Sequence, residues 1–222
     1  MATRLGRAIL LFAALACACA PERVVGDRQA DPAGPDDPGG FPRVTYVDPF
    51  IGTGEGAPHF LTNAAGDTWP GAVVPFGMVQ LGPDTTHAPS GYRWEHHTVR
   101  GFSMTHYSGR GAPCYQDVPI LPTLLPLTVS PGSDAEHYAA PFTHANESAS
   151  PGYYLVRLDS GIDVELTATE RTGALRVTFP AGNAGTILFG ASGSANPNHD
   201  DGTSKIPYFR RISSFQEASP IS

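Results

Sequence analysis

Apolar and polar residues alternate most cleanly in the second half of the chain. In "IDVELTAT", Ile162, Val164, Leu166 and Ala168 fall on one side, and Asp163, Glu165, Thr167 and Thr169 on the other. "ALRVTF" repeats the alternation with Leu175, Val177 and Phe179. "YYLVRLD" (Tyr153 to Asp159) comes before, closed by Ser160-Gly161, and "PAGNAG" turns the chain into "TILFGA". Period two over consecutive short runs with Gly or Asn turns predicts an antiparallel meander with one buried face and one wet face. The first half is less regular. "DTWPGAVVPFGMVQLGPDT" (Asp67 to Thr85) is apolar but broken by Pro70, Pro75, Pro83, Gly71, Gly77 and Gly82. No helix tolerates that density of breakers, so a buried strand flanked by tight turns is predicted. "DVPILPTLLPLTV" (Asp117 to Val129) reads as another proline-punctuated extended segment. No convincing amphipathic helix follows the leader. The expected fold class is all-β, an antiparallel β-sandwich.

Composition agrees. Charged residues are 16% of the 222, against 25 Gly and 22 Pro, a balance that favours turns and strands. The net charge of −7, with no basic stripe, argues against a nucleic-acid partner. Residues 1–20 read as an export signal: Arg4 and Arg7 precede the apolar run Ala8 to Ala16, which is too short to span a membrane. Two processing routes are open. Ala18-Cys19-Ala20 fits simple secretion, although Pro21 would follow the cut. Cleavage before Cys17 or Cys19 would resemble a bacterial lipoprotein, with that cysteine lipidated and the protein anchored to a membrane. The expected location is periplasmic, cell-surface or extracellular. Residues 21–43, centred on "DPAGPDDPGG", read as a disordered linker. Residues 44–205 are expected to form the sandwich and 206–222 an irregular tail, either an ordinary ragged end or a truncated reading. Cys114 alone remains in the mature chain, so no internal disulfide is expected, and it reads as a packing residue.

Seven blocks follow in order: "VDPFIGTG", "GDTWPGAVVPFGMVQLGPDT", "SGYRW", "GFSMTHYSGRG", "DVPILPT", "FTHANESASPGYYLVRL" and "VELTATERTGALRVTFP". Together, over roughly residues 44 to 200, they resemble the N-terminal domain of glycoside hydrolase family 92. The resemblance implies an exported enzyme of the inverting, calcium-requiring exo-α-mannosidase type, acting on mannose-containing glycans. It also implies a helical (α/α) barrel after the sandwich, carrying the general acid, the general base and most calcium ligands. Residues 1–222 contain no such barrel, so the chain alone is expected to be inactive, with the helical domain as a partner if it is encoded separately. Two departures leave the linkage preference open. Met104 and Arg110 stand where the family usually has histidine and threonine, and no tryptophan stands shortly before Ser90-Gly91-Tyr92, where many members carry one.

Inverting hydrolysis needs two carboxylates about 6.5–9.5 Å apart with a water beside the sugar. Asp163 and Glu165 read instead as surface charges, so no catalytic residue is assigned. His106, Ser108 and Arg110, between glycines that permit close backbone approach, are the candidate substrate-binding edge. Trp94 joins them as an aromatic face suited to a pyranose ring, whereas Trp69 reads as packing. Metal ligands are unknown: His96-His97 would point to opposite faces of a strand, and "NPNHDDG" (Asn196 to Gly202) lacks the spacing of a calcium loop. The alternatives to a partial enzyme are a stand-alone carbohydrate-binding surface module and an inactive fragment.

Overall fold

The computed structural model describes residues 7–13, 43–54, 66–86, 90–109, 115–131, 134, 136–190 and 209–212. The predicted meander is there. Strands β6 (Ala140–Ser150), β7 (Tyr153–Leu158), β8 (Asp163–Ala168) and β9 (Thr172–Thr178) pair antiparallel in sequence order. Register follows the side chains. Val164 lies opposite Val156 on one neighbour and Val177 on the other, and Leu166 lies between Tyr154 and Leu175. All six are buried. On the wet face Glu165 sits opposite Arg176, which it pairs in a bidentate salt bridge, and Tyr153 donates to the same carboxylate at 2.7 Å. A one-residue slip would exchange these two faces, so burial and charge pairing specify one register.

Strand β3 (Thr98–Val99) extends this first sheet beyond β6. A second sheet holds β2 (Gly82–Asp84), β4 (Gly101–Ser103), β5 (Ile120–Thr123) and β10 (Thr186–Gly190). Val99, Phe142, Tyr154, Val164 and Leu175 of the first sheet share one core with Phe102, Ile120, Leu121, Ile187 and Leu188 of the second. Two antiparallel sheets thus close on a common apolar layer, as the sequence predicts. Every residue of β2, β4 and β5 is buried, so the second sheet is covered on both faces. The loops over its outer face form the site described below.

Two segments differ from the sequence expectation. The apolar run from Asp67 to Thr85 contributes only β2 and an isolated bridge, Ala72 to Leu81, whose backbone bonds measure 2.7 and 3.2 Å. Between them the chain doubles back through a turn at Val74–Gly77 and a left-handed Phe76 (φ 61°), which leaves Phe76 and Met78 exposed. The prolines remove donors that a continuous strand would need. Phe209–Ile212, expected in an irregular tail, forms strand β11 beside β10 and carries the second sheet past residue 205. Edge pairing is a backbone interaction that a side-chain period need not announce. The leader run Arg7–Ala13 is placed as strand β1 along the free edge of β9.

Leu175→Ala removes a side chain with no exposed surface. It is expected to cost about 2–5 kcal/mol of unfolding free energy, against about 1 kcal/mol or less for Glu165→Gln in the exposed pair. Urea denaturation of the two variants checks the ranking. The Arg176 guanidinium holds the Glu165 carboxyl below the usual carboxylate range. The contribution of that pair is therefore present above the ordinary carboxylate pKa and lost as pH falls through the depressed one.

Candidate functional site

Five loop segments meet over the outer face of the second sheet, and backbone bonds lace them together. Thr68 N–H donates to the Gly52 carbonyl (3.4 Å) and Trp94 N–H to that of Thr53 (3.1 Å). Gly109 N–H donates to the Asp67 carbonyl (2.7 Å) and Gln116 N–H to that of Thr105 (2.9 Å). Thr85 N–H donates to the Gly91 carbonyl (2.7 Å). Asp67, Tyr115, Gln116 and Val118 all adopt positive φ, between 49° and 73°. Left-handed backbone at non-glycine residues costs about 1–3 kcal/mol each and persists only where the surroundings over-determine it. Such strain gathered in one loop cluster marks the platform as a candidate site.

Beneath the platform the charges are locked. Asp67 is buried and pairs with Arg93. Asp84, fully buried, accepts from the Ser103 hydroxyl, and its other oxygen lies 3.2 Å from His106 Nε2, near enough to pair but off the line of a hydrogen bond. His106 Nδ1 faces the Gln80 carbonyl at 2.8 Å, and the ring stacks on Trp69 with centroids 4.6 Å apart. Gly71 and Gly82 let the indole lie flat: a Cβ at Gly71 would come 1.8 Å from a Trp69 ring carbon, and one at Gly82 2.6 Å.

Trp94 lies at the rim with 41% of its surface exposed. Phe50 meets it edge-on at 5.4 Å and His144 stacks on it at 3.9 Å. Tyr115, also 41% exposed, stacks on Tyr107. Behind Trp94 the carboxylate of Glu147, wholly buried, takes Tyr92 OH (2.9 Å), Tyr154 OH (2.7 Å) and His144 Nδ1 (2.7 Å). Burial, first, and the neighbouring Glu147 charge push both tyrosine hydroxyls far above their ordinary value.

Of the residues predicted from sequence, Trp94 and Ser108 are exposed on the platform, while His106 is buried beneath Trp69 with both ring nitrogens turned to acceptors. Arg110, Cys114, Cys17, Cys19 and Asn196 to Gly202 lie outside the described residues. His96 faces the Thr85 carbonyl at 2.8 Å, and its neighbour His97 is exposed. Asp117 accepts from Thr105 at 2.8 Å. The buried Asp67 and Glu147 carboxylates and their partly buried partners Arg93 and His144 were not singled out. Their cue, scattered single polar residues in "GDTW", "GYRW" and "THANES", resembles that of any loop. A calcium ion does not fit the described part of the platform. Among the described residues no three His, Cys, Asp or Glu side chains converge on a point, and the buried carboxylates are already occupied. No chemistry is therefore routed through a metal here.

The raised tyrosine hydroxyls carry a sign. Each phenol must stay neutral in the folded state, so the stability it contributes is intact below about pH 10 and lost as pH rises above the unfolded value of 10.0. Phenolate absorbance from Tyr92 and Tyr154 is expected only together with unfolding. Alkaline titration of the wild type against Tyr92→Phe checks it.

Comparison with known proteins identifies the family of the chain. Residues 46–221 match the model of the glycosyl hydrolase family 92 N-terminal domain. The chain is 32% identical over 150 residues to an uncharacterized secreted glycosidase of Arthroderma benhamiae, covering 64% of this chain and 18% of that protein. The family GH92 α-mannosidase BT3965 of Bacteroides thetaiotaomicron superposes with TM-score 0.57 at 36% identity, over 66% of this chain and 20% of that one. It has also been solved in complex with mannoimidazole. The inverting mannosidase BT2199 of the same organism superposes with TM-score 0.52 at 30% identity, over 66% of this chain and 19% of that one. The chain thus spans about one fifth of the length of these relatives. Its two-sheet sandwich and the family match over residues 46–221 make it a member of glycosyl hydrolase family 92, matched through that family's N-terminal domain.

Proposed function

We infer that this chain is the sandwich part of an exported glycosidase that hydrolyses α-mannosides of glycans with inversion, and does so only together with a helical domain. The carrying observation is the platform itself: an exposed Trp94 held on strained, cross-laced loops above carboxylates that are all engaged in pairs. An indole face suits the C–H face of a pyranose, so Trp94 is assigned to glycan binding, and the exposed Ser108 with it. Arg110 keeps the same assignment on sequence grounds. His106 supports the platform from below through Trp69 and Asp84. The two carboxylates that flank a glycosidic bond in inverting hydrolysis, and the calcium ligands, are assigned to the helical domain.

Exposed apolar side chains support the two-domain reading over a free-standing binding module. Val44, Tyr46, Val47, Ile51, Phe76 and Met78 are at least half exposed. Apolar surface of this kind is what a second domain buries.

The purified chain is expected to bind mannose-terminated glycans and to release no mannose from them. Trp94→Ala should abolish the binding with little change in thermal stability. Joining the chain to a helical domain of the family should restore hydrolysis, read as released mannose. Hydrolysis by the chain alone would overturn the division of labour, and absence of binding would remove the platform's role.

Export with lipidation at Cys17 or Cys19 is the matching proposal for location. Radiolabelled palmitate should enter the wild-type protein in a bacterial host and not the double variant Cys17→Ser, Cys19→Ser. An unlabelled mature chain starting after Ala20 would replace it with simple secretion.

A further inference from the structure

His144 and Glu147 lie in the irregular stretch of β6, where pairing with β7 shifts between Phe142 and Glu147. From there Glu147 reaches Tyr92 and His144 reaches Trp94. The Glu147 carboxylate is wholly buried, and the groups that reach its oxygens are two tyrosine hydroxyls and His144 Nδ1. The other nitrogen of His144, Nε2, faces the backbone carbonyl of Trp94. Both ring nitrogens therefore face acceptors, an arrangement that both satisfy as donors only when the imidazole carries two protons. The same ring lies flat on the Trp94 indole, centroids 3.9 Å apart and planes 12° apart. A cation against an aromatic face is attracted by the ring quadrupole, and a buried carboxylate demands a positive partner.

We propose that Glu147 and His144 form a positioning pair for Trp94, with His144 held as an imidazolium that grips the tryptophan through its carbonyl and its ring face. The pair is not catalytic. It holds one side of the indole so that the exposed remainder is presented in a fixed orientation. Its benefit for glycan binding rests on the function proposed above, whereas the clamp stands on its own geometry. The other titratable groups around His144 are Tyr92, whose hydroxyl is 3.5 Å from Nδ1, the His97 ring at 4.9 Å, and Glu95, which follows Trp94 in the chain. Phe142 closes the remaining side edge-on at 5.1 Å.

A stacked imidazolium quenches indole emission and a neutral imidazole does so far less, so Trp94 reports the state of His144. Trp94 emission is isolated by subtracting the spectrum of Trp94→Phe, because Trp69 also stacks on a histidine. Glu147→Gln keeps the shape and lets the amide donate to a neutral His144. It is expected to relieve the quenching seen in the wild type. His144→Gln should be dequenched as well and guards against failure of Glu147→Gln to fold. Trp94 emission that is the same in wild type and in both variants would overturn the clamp. Affinity for mannose-terminated glycans is measured in parallel and should weaken in both variants. A wild type that binds no such glycan counts against the glycan reading, and the clamp is then decided by emission alone.

Discussion

Two rows of side chains run across the middle of the first sheet, Val156–Val164–Val177 and Tyr154–Leu166–Leu175. The rest of the molecule depends on their burial. They fix which face of β7, β8 and β9 turns inward, and so where the second sheet must lie. Phe102, Ile120, Leu121, Ile187 and Leu188 of that sheet belong to the same buried cluster. With the apolar layer shared, the second sheet has an outer face that must also be covered. The loops from residues 50 to 54, 67 to 69, 90 to 96, 105 to 109 and 115 to 117 provide that cover.

The loops carry polar groups into a dry place, and their chemistry follows from how those groups are satisfied. Asp67 takes Arg93, Asp84 takes Ser103 and His106, and Glu147 takes Tyr92, Tyr154 and His144. A buried carboxylate without such partners would be too costly to keep ionised. The same pairing removes each from use as a free acid or base. The platform leaves Trp94 and Tyr115 exposed at its rim. That agrees with a domain spanning about one fifth of mannosidases such as BT3965.

The two tryptophans illustrate opposite uses of one motif. Each stacks on a histidine whose ring nitrogens face acceptors. Trp69 is buried, pressed onto Gly71 and Gly82, and serves as a floor for the loops. Trp94 is open to solvent on its free side. What separates them is the backbone beneath: glycines that admit an indole at contact distance in one case, an irregular β6 in the other.

The all-β class, the meander and its inward residues were legible in the sequence because a strand's period of two is a local property. Each of Ile162, Val164 and Leu166 announces its face through its nearest neighbours alone. The seven family blocks were legible for the same reason, as contiguous strings. Tertiary structure alone decided that β10 leaves the meander for the second sheet, that Phe209–Ile212 forms an edge strand, and that Asp67 to Thr85 doubles back. It also decided that His106 is buried while Trp94 is not, and that His144 and Glu147 reach Tyr92 and Trp94 about fifty residues away in the chain. Those outcomes depend on which distant groups satisfy a buried donor or acceptor, and a hydrogen bond across fifty residues leaves no periodic trace in either segment.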